Sequence, residues 1–200
     1  MKKDTRTLDK ILWECFKLFL HKGYKEVTIP DIENAIGMTR GAVFYYVKDK
    51  NELFKAVIDR YVLEKQDVKN KIKHDKDSRL LQFIIDYVES INRTRDSIQP
   101  SDTGDYLFSY LNLISTALTY YDGFREKAVY ILEQDVLLWE KTIERAKVTK
   151  EIRDNVNTSI AAKKFQRLFY GQSFLNGIVA DFNSSELLEL YIDEYNLLKI

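Results

Sequence analysis

Between Thr28 and Phe54 the chain reads TIPDIENAIGMTRGAVFYYVKDKNELF, and few structures accommodate that stretch. Thr28 precedes Ile29, Pro30 and Asp31. A hydroxyl cap, a proline in the first turn and an acid at the positive end mark a helix start. That helix ends at Gly37, where a left-handed residue is wanted. Thr39 follows almost at once and is placed to cap a second short helix, from Arg40 to about Val47. Asp49 opens a further helix at Lys50. Two short helices joined by a tight Gly-Met turn result, with Ile32, Ala35 and Ile36 locking the first and Val43 facing the core.

The flanking chain is helical too. Only seven Gly and two Pro occur in 200 residues, too few breakers for the many turns of a sandwich or barrel. Leu8, Ile11, Leu12, Cys15, Phe16, Phe19 and Leu20 recur at helical spacing over residues 5–22, and Gly23 follows as a stop. Beyond residue 73 the polar stretch 72–78 reads as a boundary or hinge. Longer helices are expected over 78–94, 106–121, 123–147, 158–180 and from 184 or 185 to the C-terminus. Residues 98–105, with Pro100, Ser101, Asp102 and Gly104, read as a loop. The helix over 106–121 is apolar nearly all round, so it is expected to be buried. Asn157 and either Ser184 or Ser185 are the expected caps of the last two helices. The reading is an all-α chain of about nine helices without repeats.

Composition excludes several classes. Hydrophobic residues make up 45% of the chain, enough for a core, so disorder does not fit. One cysteine, Cys15, excludes an internal disulfide and a Cys-based zinc site. No apolar run approaches the roughly 18 residues of a membrane span, and MKKDTRTLDK has no signal-peptide core, so a cytoplasmic protein without membrane contact is expected. The 31 basic and 31 acidic side chains cancel. Their distribution does not: residues 1–50 hold 10 basic and 7 acidic groups, and residues 51–200 hold 21 and 24. The N-terminal part is therefore net positive, the sign that attracts a phosphate backbone.

The spacing in 28–54 is that of a helix-turn-helix, whose second helix enters the major groove. Thr39, Arg40 and Gly41 open that helix, where free backbone N–H groups and the positive dipole end meet phosphate. Gly41 allows close backbone approach. Tyr45, Tyr46, Lys48 and Lys50 bring hydroxyls and cations to its far edge. With Ile11, Leu12, Phe16, Leu18, Phe19, Gly23, Tyr24, Thr28, Asp31, Ile32, Ala35, Gly37, Gly41, Tyr45, Lys50, Leu53 and Phe54 in one register, residues 6–60 resemble the TetR (tetracycline repressor) family of transcriptional regulators.

That resemblance implies a three-helix DNA-binding domain over 1–50 and a helical ligand-binding and dimerisation bundle over 51–200. It implies that Thr28 and Tyr45 hold phosphates, that Lys50 meets the DNA backbone, and that Thr39, Arg40 and Phe44 lie where bases or adjacent phosphates are touched. Three positions depart from the family pattern: Phe44 stands where Tyr is usual, Tyr46 where His is usual, and Val47 where Phe is usual. Phe44 has no hydroxyl to donate but can meet a thymine methyl. The implied partners are double-stranded DNA with a pseudo-palindromic operator, a small-molecule effector and a second copy of the chain.

The second part is rich in aromatic residues. Phe83, Tyr87, Tyr106, Tyr110 and Trp139 are the candidates to line an effector pocket, and they suit an apolar or aromatic ligand. Small residues along 158–180 suggest a close helix crossing. Ala161, Phe165, Leu168, Gly171, Leu175 and Ile178, with Leu187 and Tyr191 on the last helix, are the candidate dimer face. His21 and His74 are isolated, so neither a metal nor a cofactor is expected. With no nucleophile–base pair, paired acid or phosphate loop in view, the chain reads as a regulator, more a repressor than an activator, and not as an enzyme. A helical protein-interaction module that has lost DNA binding is the alternative, favoured by Phe44 and Val47.

Overall fold

The computed structural model describes residues 5–68, 79–100, 106–179 and 183–200. Among these residues the chain is all-α, with nine helices and a single isolated bridge between Ile152 and Lys199. The expected hinge at 72–78, His74 within it, the loop residues from Ser101 onward and Ala180 lie outside the described residues. In chain order the helices are α1 (Thr5–Glu26), α2 (Ile29–Ile36), α3 (Arg40–Tyr46), α4 (Lys50–Ile58), α5 (Leu80–Ile98), α6 (Tyr106–Tyr120), α7 (Phe124–Val148), α8 (Thr158–Val179) and α9 (Ser184–Leu198). Helix α4 runs on through a wider π turn, Asp59–Leu63, and a last short turn, Glu64–Gln66.

The described contacts divide the chain into two compact units. The first holds Met1–Lys65 and Pro100–Lys127, and the second holds Gln66–Gln99 and Ala128–Ile200. The boundary expected at 50/51 falls inside the first unit.

In the first unit, α1 packs on α2, α4 and α6. Its stripe of Ile11, Leu12, Cys15, Phe16, Phe19 and Leu20 is buried, as the spacing predicts. Phe16 stacks on Tyr61 at 4.6 Å, and Phe19 meets Phe54 edge-on at 5.3 Å. Burial pushes the Cys15 thiol up to about 12, so it stays a neutral apolar side chain. Gly23 kinks α1 at φ 76°, a backbone conformation that L side chains rarely adopt. Helix α6 departs from expectation. Only the stripe Tyr106, Tyr110, Leu113 and Ala117 is buried, while Phe108 and Leu118 are exposed. A helix touching neighbours on one side buries one stripe, whatever its composition elsewhere.

In the second unit, α5 and α8 each pack on α9. The core joins Leu80, Phe83, Ile84 and Tyr87 of α5 to Trp139 and Ile143 of α7, Phe165 of α8 and Tyr191 of α9. Helix α5 has Arg79 at its N-cap position and no side-chain cap from it. The Glu151 carboxylate accepts instead from the Leu80 and Leu81 backbone N–H groups at 2.9 and 3.2 Å. Asn157 caps α8 as expected, accepting from the Ile160 N–H at 3.0 Å. The cap of α9 is Asn183 rather than either serine, since its side chain accepts from Ser185 and Glu186 N–H at 3.1 Å each.

Candidate functional site

Helices α2 and α3 form the predicted pair. A capping box opens α2: the Thr28 hydroxyl accepts from the Asp31 N–H at 3.3 Å, and the Asp31 carboxylate accepts from the Thr28 N–H at 2.9 Å. Lys22 lies 2.7 Å from the same carboxylate. Its hydrogen bond, then the Thr28 bonds, hold Asp31 well below the usual carboxylate range. Gly37 ends α2 at φ 71°, and its N–H donates to the Glu33 carbonyl at 2.9 Å. Three residues later α3 begins. Val43 turns into the core, and α4 follows under an Asp49 cap that accepts from the Glu52 N–H at 2.9 Å.

This bracing leaves one side of α3 outward. Thr28, Thr39, Arg40, Gly41, Tyr45 and Lys48 are exposed, and Phe44 and Tyr46 are half-buried. The Arg40 guanidinium lies 5.9 Å from the Phe44 ring centre, so the ring of the unusual Phe44 steadies the arginine. Tyr45 and Tyr46 meet edge to face at 5.3 Å. A Cβ added at Gly41 would meet nothing within 4 Å, so no packing among the described residues demands a glycine there. Lys50 is held further in than the rest. Its ammonium sits 4.6 Å over the Tyr24 ring and donates to the Lys25 carbonyl at 3.3 Å. Partial burial lowers its pKa. One expectation fails in detail: Thr39 stands at the N-cap of α3, yet its side chain makes no cap hydrogen bond. The Glu33 carboxylate instead reaches across the turn to the first N–H of the helix, accepting from the Arg40 N–H at 2.6 Å.

The five aromatic candidates fall into two groups. Phe83, Tyr87 and Trp139 meet in the second unit, where Trp139 stacks on Phe165 at 4.6 Å and lies 4.8 Å from Phe83 and 4.9 Å from Tyr87. Tyr106 and Tyr110 belong to the first unit, 5.7 Å apart, with the Tyr110 hydroxyl donating to the Tyr61 carbonyl at 3.0 Å. That carbonyl lies in the π turn after α4.

One member of the second-unit group escaped sequence reasoning. Asp135, one helical turn before Trp139, is fully buried and accepts from the Tyr87 hydroxyl at 2.9 Å and the Gln166 amide at 3.3 Å. On sequence it is one more charge on an amphipathic helix, and only its apolar neighbours at i−3/i+4 spacing hinted otherwise. Burial and then the Asp135 charge push the Tyr87 phenol well up, and the same two causes act on Tyr191. The Trp139 indole N–H and the Tyr191 hydroxyl are buried without a hydrogen-bond partner among the described residues.

The candidate dimer residues divide by exposure. Ala161, Phe165, Leu187 and Tyr191 are buried in the core of their own unit, which corrects their reading as a surface. A helix apolar on two sides gives no local sign of which side turns inward. Gly171, Leu175 and Ile178 are exposed and Leu168 is half-buried. Phe174, exposed at 59%, and Val179, at 67%, extend the same face of α8. A Cβ at Gly171 would meet nothing within 4 Å, so no crossing among the described residues requires that glycine. Among the described residues no helix is long and apolar enough to cross a membrane, and no three His, Cys, Asp or Glu side chains gather as metal ligands.

Residues 11–57 match the model of the family described as bacterial regulatory proteins, tetR family. The HTH-type transcriptional repressor Rv1474c of Mycobacterium tuberculosis is 44% identical over 41 residues, which cover 20% of this chain and 22% of that protein. The HTH-type transcriptional repressor BepR of Brucella suis is 33% identical over 54 residues, covering 27% of this chain and 26% of that one. The chain thus spans about a quarter of the length of these curated relatives. Among solved structures, a TetR transcription regulator from Haloarcula marismortui superposes with TM-score 0.76 at 16% identity, covering 98% of this chain and 100% of its own. A TetR-family regulator from Cytophaga hutchinsonii gives 0.72 at 17% identity, covering 100% and 99%. At such identities the likeness is one of fold.

Proposed function

We propose that this chain, a member of the tetR family of bacterial regulatory proteins, is a dimeric transcriptional repressor that reads a pseudo-palindromic duplex with α3 and is released by a small-molecule effector. The observation that carries this is the outward edge of α3. Arg40, Gly41 and Tyr45 on α3, with Thr39 and Lys48 at its two ends, stand exposed on a segment whose inner side and both neighbouring helices are tied down. A seven-residue helix with one buried residue contributes little to a core. Its polar edge is suited to a groove, with Arg40 for base edges, Phe44 for a thymine methyl, and Thr28, Tyr45, Tyr46, Lys48 and Lys50 for the phosphates on either side. Both curated relatives are named as repressors, which favours repression as the output.

The effector site in this reading lies in the aromatic cluster of the second unit, at Phe83, Tyr87 and Trp139. The rings favour an apolar or aromatic molecule. The polar atoms of Trp139, Tyr191 and Asp135 among them favour one that also carries a hydrogen-bonding group. Half-buried Leu168 and exposed Gly171, Phe174, Leu175 and Ile178 on α8 would form the dimer face, since a contiguous apolar stripe on a surface helix marks an interface. Helix α4 would be the coupling element, because the chain leaves the reading unit through it. The effector would act by shifting the population of DNA-competent dimers.

Selection of duplexes by the purified protein from a random-sequence library tests the reading. The expected product is an inverted repeat whose half-site centres lie about one helical turn, or a multiple of it, apart. Binding to all duplexes alike, or to none, would overturn it.

A further inference from the structure

Arg40 and Phe44 stand four residues apart on α3, so they lie on one face of it, one turn apart. The Arg40 guanidinium lies 5.9 Å from the centre of the Phe44 ring. An aromatic face attracts a cation at that distance and narrows the rotamers that so long a side chain visits. Arg40 is exposed and forms no ion pair among the described residues, so its forked N–H donors stay open to an acceptor. Its backbone is held as well, because the Glu33 carboxylate accepts from the Arg40 N–H at 2.6 Å. Phe44 is half-buried, so its neighbours cover part of it and leave the rest to solvent. Val43 beside it is fully buried, which fixes the rotation of α3 and with it the direction of this face. A phenylalanine offers a duplex only apolar surface, and the apolar feature of the major groove is the thymine methyl. An outward guanidinium suits the paired O6 and N7 acceptors of guanine.

We propose that Arg40 and Phe44 read one composite element of the operator: a guanine bound by the Arg40 guanidinium, with a thymine within two base steps whose methyl packs on Phe44. The inference rests on the reading of α3 as the DNA-contacting helix, and goes beyond it in naming the bases and in coupling the two side chains. Their separation sets the spacing. Stacked bases rise about 3.4 Å per step, so the 5.9 Å between guanidinium and ring centre spans fewer than two steps. Phe44 has two roles in this element. It meets the methyl, as any apolar side chain of similar size would, and it is the platform for the guanidinium, which needs an aromatic face. Leucine at position 44 keeps the first role and loses the second, whereas alanine loses both. The element carries sequence information, where a tyrosine hydroxyl bonded to a phosphate would carry none.

The test uses the full chain and the duplex that it enriches from a random-sequence library, with two base analogues placed in that duplex. Deoxyuridine for the thymine removes only the methyl, and 7-deazaguanine for the guanine removes only the N7 acceptor. The enriched half-site is expected to hold a guanine with a thymine within two steps. Wild type is expected to bind the deoxyuridine duplex about threefold more weakly. It is expected to bind the 7-deazaguanine duplex about tenfold more weakly. Phe44→Leu should keep the deoxyuridine loss, while its 7-deazaguanine loss falls to about threefold. Phe44→Ala should show no deoxyuridine loss, and Arg40→Ala no 7-deazaguanine loss. Thermal unfolding without DNA establishes that each variant is folded, and if Phe44→Ala is not, wild type and Phe44→Leu decide alone. An enriched half-site without that pair of bases would overturn the proposal. So would wild-type binding indifferent to deoxyuridine, or an undiminished 7-deazaguanine loss in Phe44→Leu. Each of those results leaves DNA reading by α3 standing, whereas enrichment of no duplex at all would overturn that reading and the proposal with it.

Discussion

The helix-turn-helix edge of the first unit and the aromatic cluster of the second present their side chains in opposite ways. In the first, the residues of interest are polar and outward, on short helices whose ends are fixed by caps: Thr28 with Asp31, Glu33 with the Arg40 N–H, and Asp49 with the Glu52 N–H. In the second they are rings turned inward, with Trp139 and Tyr87 fully buried and fixed by one another. An outward polar edge can be assembled from residues close in sequence. An inward cluster needs helices far apart in sequence, here α5, α7, α8 and α9. The first unit's interface is therefore robust to single exchanges at its surface, whereas the second unit's cluster stands or falls as a packed whole.

The largest effect that could break this contrast is expected at Trp139. Trp139→Ala removes a fully buried ring held between Phe83, Tyr87 and Phe165, so it should cost about 3–5 kcal/mol in urea unfolding. A loss under about 1 kcal/mol would mean that the cluster is not packed as described. Next comes the α8 face. Phe174→Glu places a charge in the middle of an exposed apolar stripe and should leave the folded chain intact while dissociating the proposed dimer, weakening it by about 2 kcal/mol or more. Sedimentation at micromolar concentration reads this, and an unchanged dimer would move the interface elsewhere.

On the reading edge the effects should be smaller and confined to DNA. Arg40→Ala should cost about 1–3 kcal/mol on the selected duplex, and less on a scrambled one, with no change in melting temperature. Lys50→Ala should weaken both duplexes alike and reduce the salt slope by about one unit. If Lys50 stays over the Tyr24 ring in the complex, the slope will not move and the phosphate contact falls away.

The smallest effect is the pH dependence of the α2 cap. Asp31 titrates lower in the folded chain than in an unfolded one, so its contribution is complete above the ordinary carboxylate pKa of about 4. It is lost as pH falls through the lowered folded value. The melting temperature of Asp31→Asn should thus lie below wild type near neutral pH and approach it in acid. A gap that stays constant with pH would assign the role of Asp31 to shape rather than charge.

Much of the first unit was legible residue by residue. Gly37 at positive φ, the Thr28 capping box, the Asp49 cap, the Val43 core position and the buried stripe of α1 all follow from spacings of a few residues. The brace at the start of α3 was not, because Glu33 reaches the Arg40 N–H across the turn from another helix. The same device recurs at α5, capped by Glu151 from 71 residues away. Local propensity names the residues able to cap, but geometry chooses among them.

What the sequence by itself determined is the helical class of the chain, the turn between α2 and α3, and the residues that a reading helix would show to a duplex. Each depends on periodicity, on backbone freedom at glycine or on hydrogen bonds to near neighbours, all of which act over a few residues. Only the tertiary structure decided which side of α8 turns inward, burying Phe165 and leaving Phe174 out. Only it separated Tyr106 and Tyr110 from Phe83, Tyr87 and Trp139, and enclosed Asp135 among rings. Those outcomes depend on which helices meet. The hydrophobic effect that drives their meeting is non-directional, so apolar residues on two faces of one helix look alike until a partner helix covers one of them.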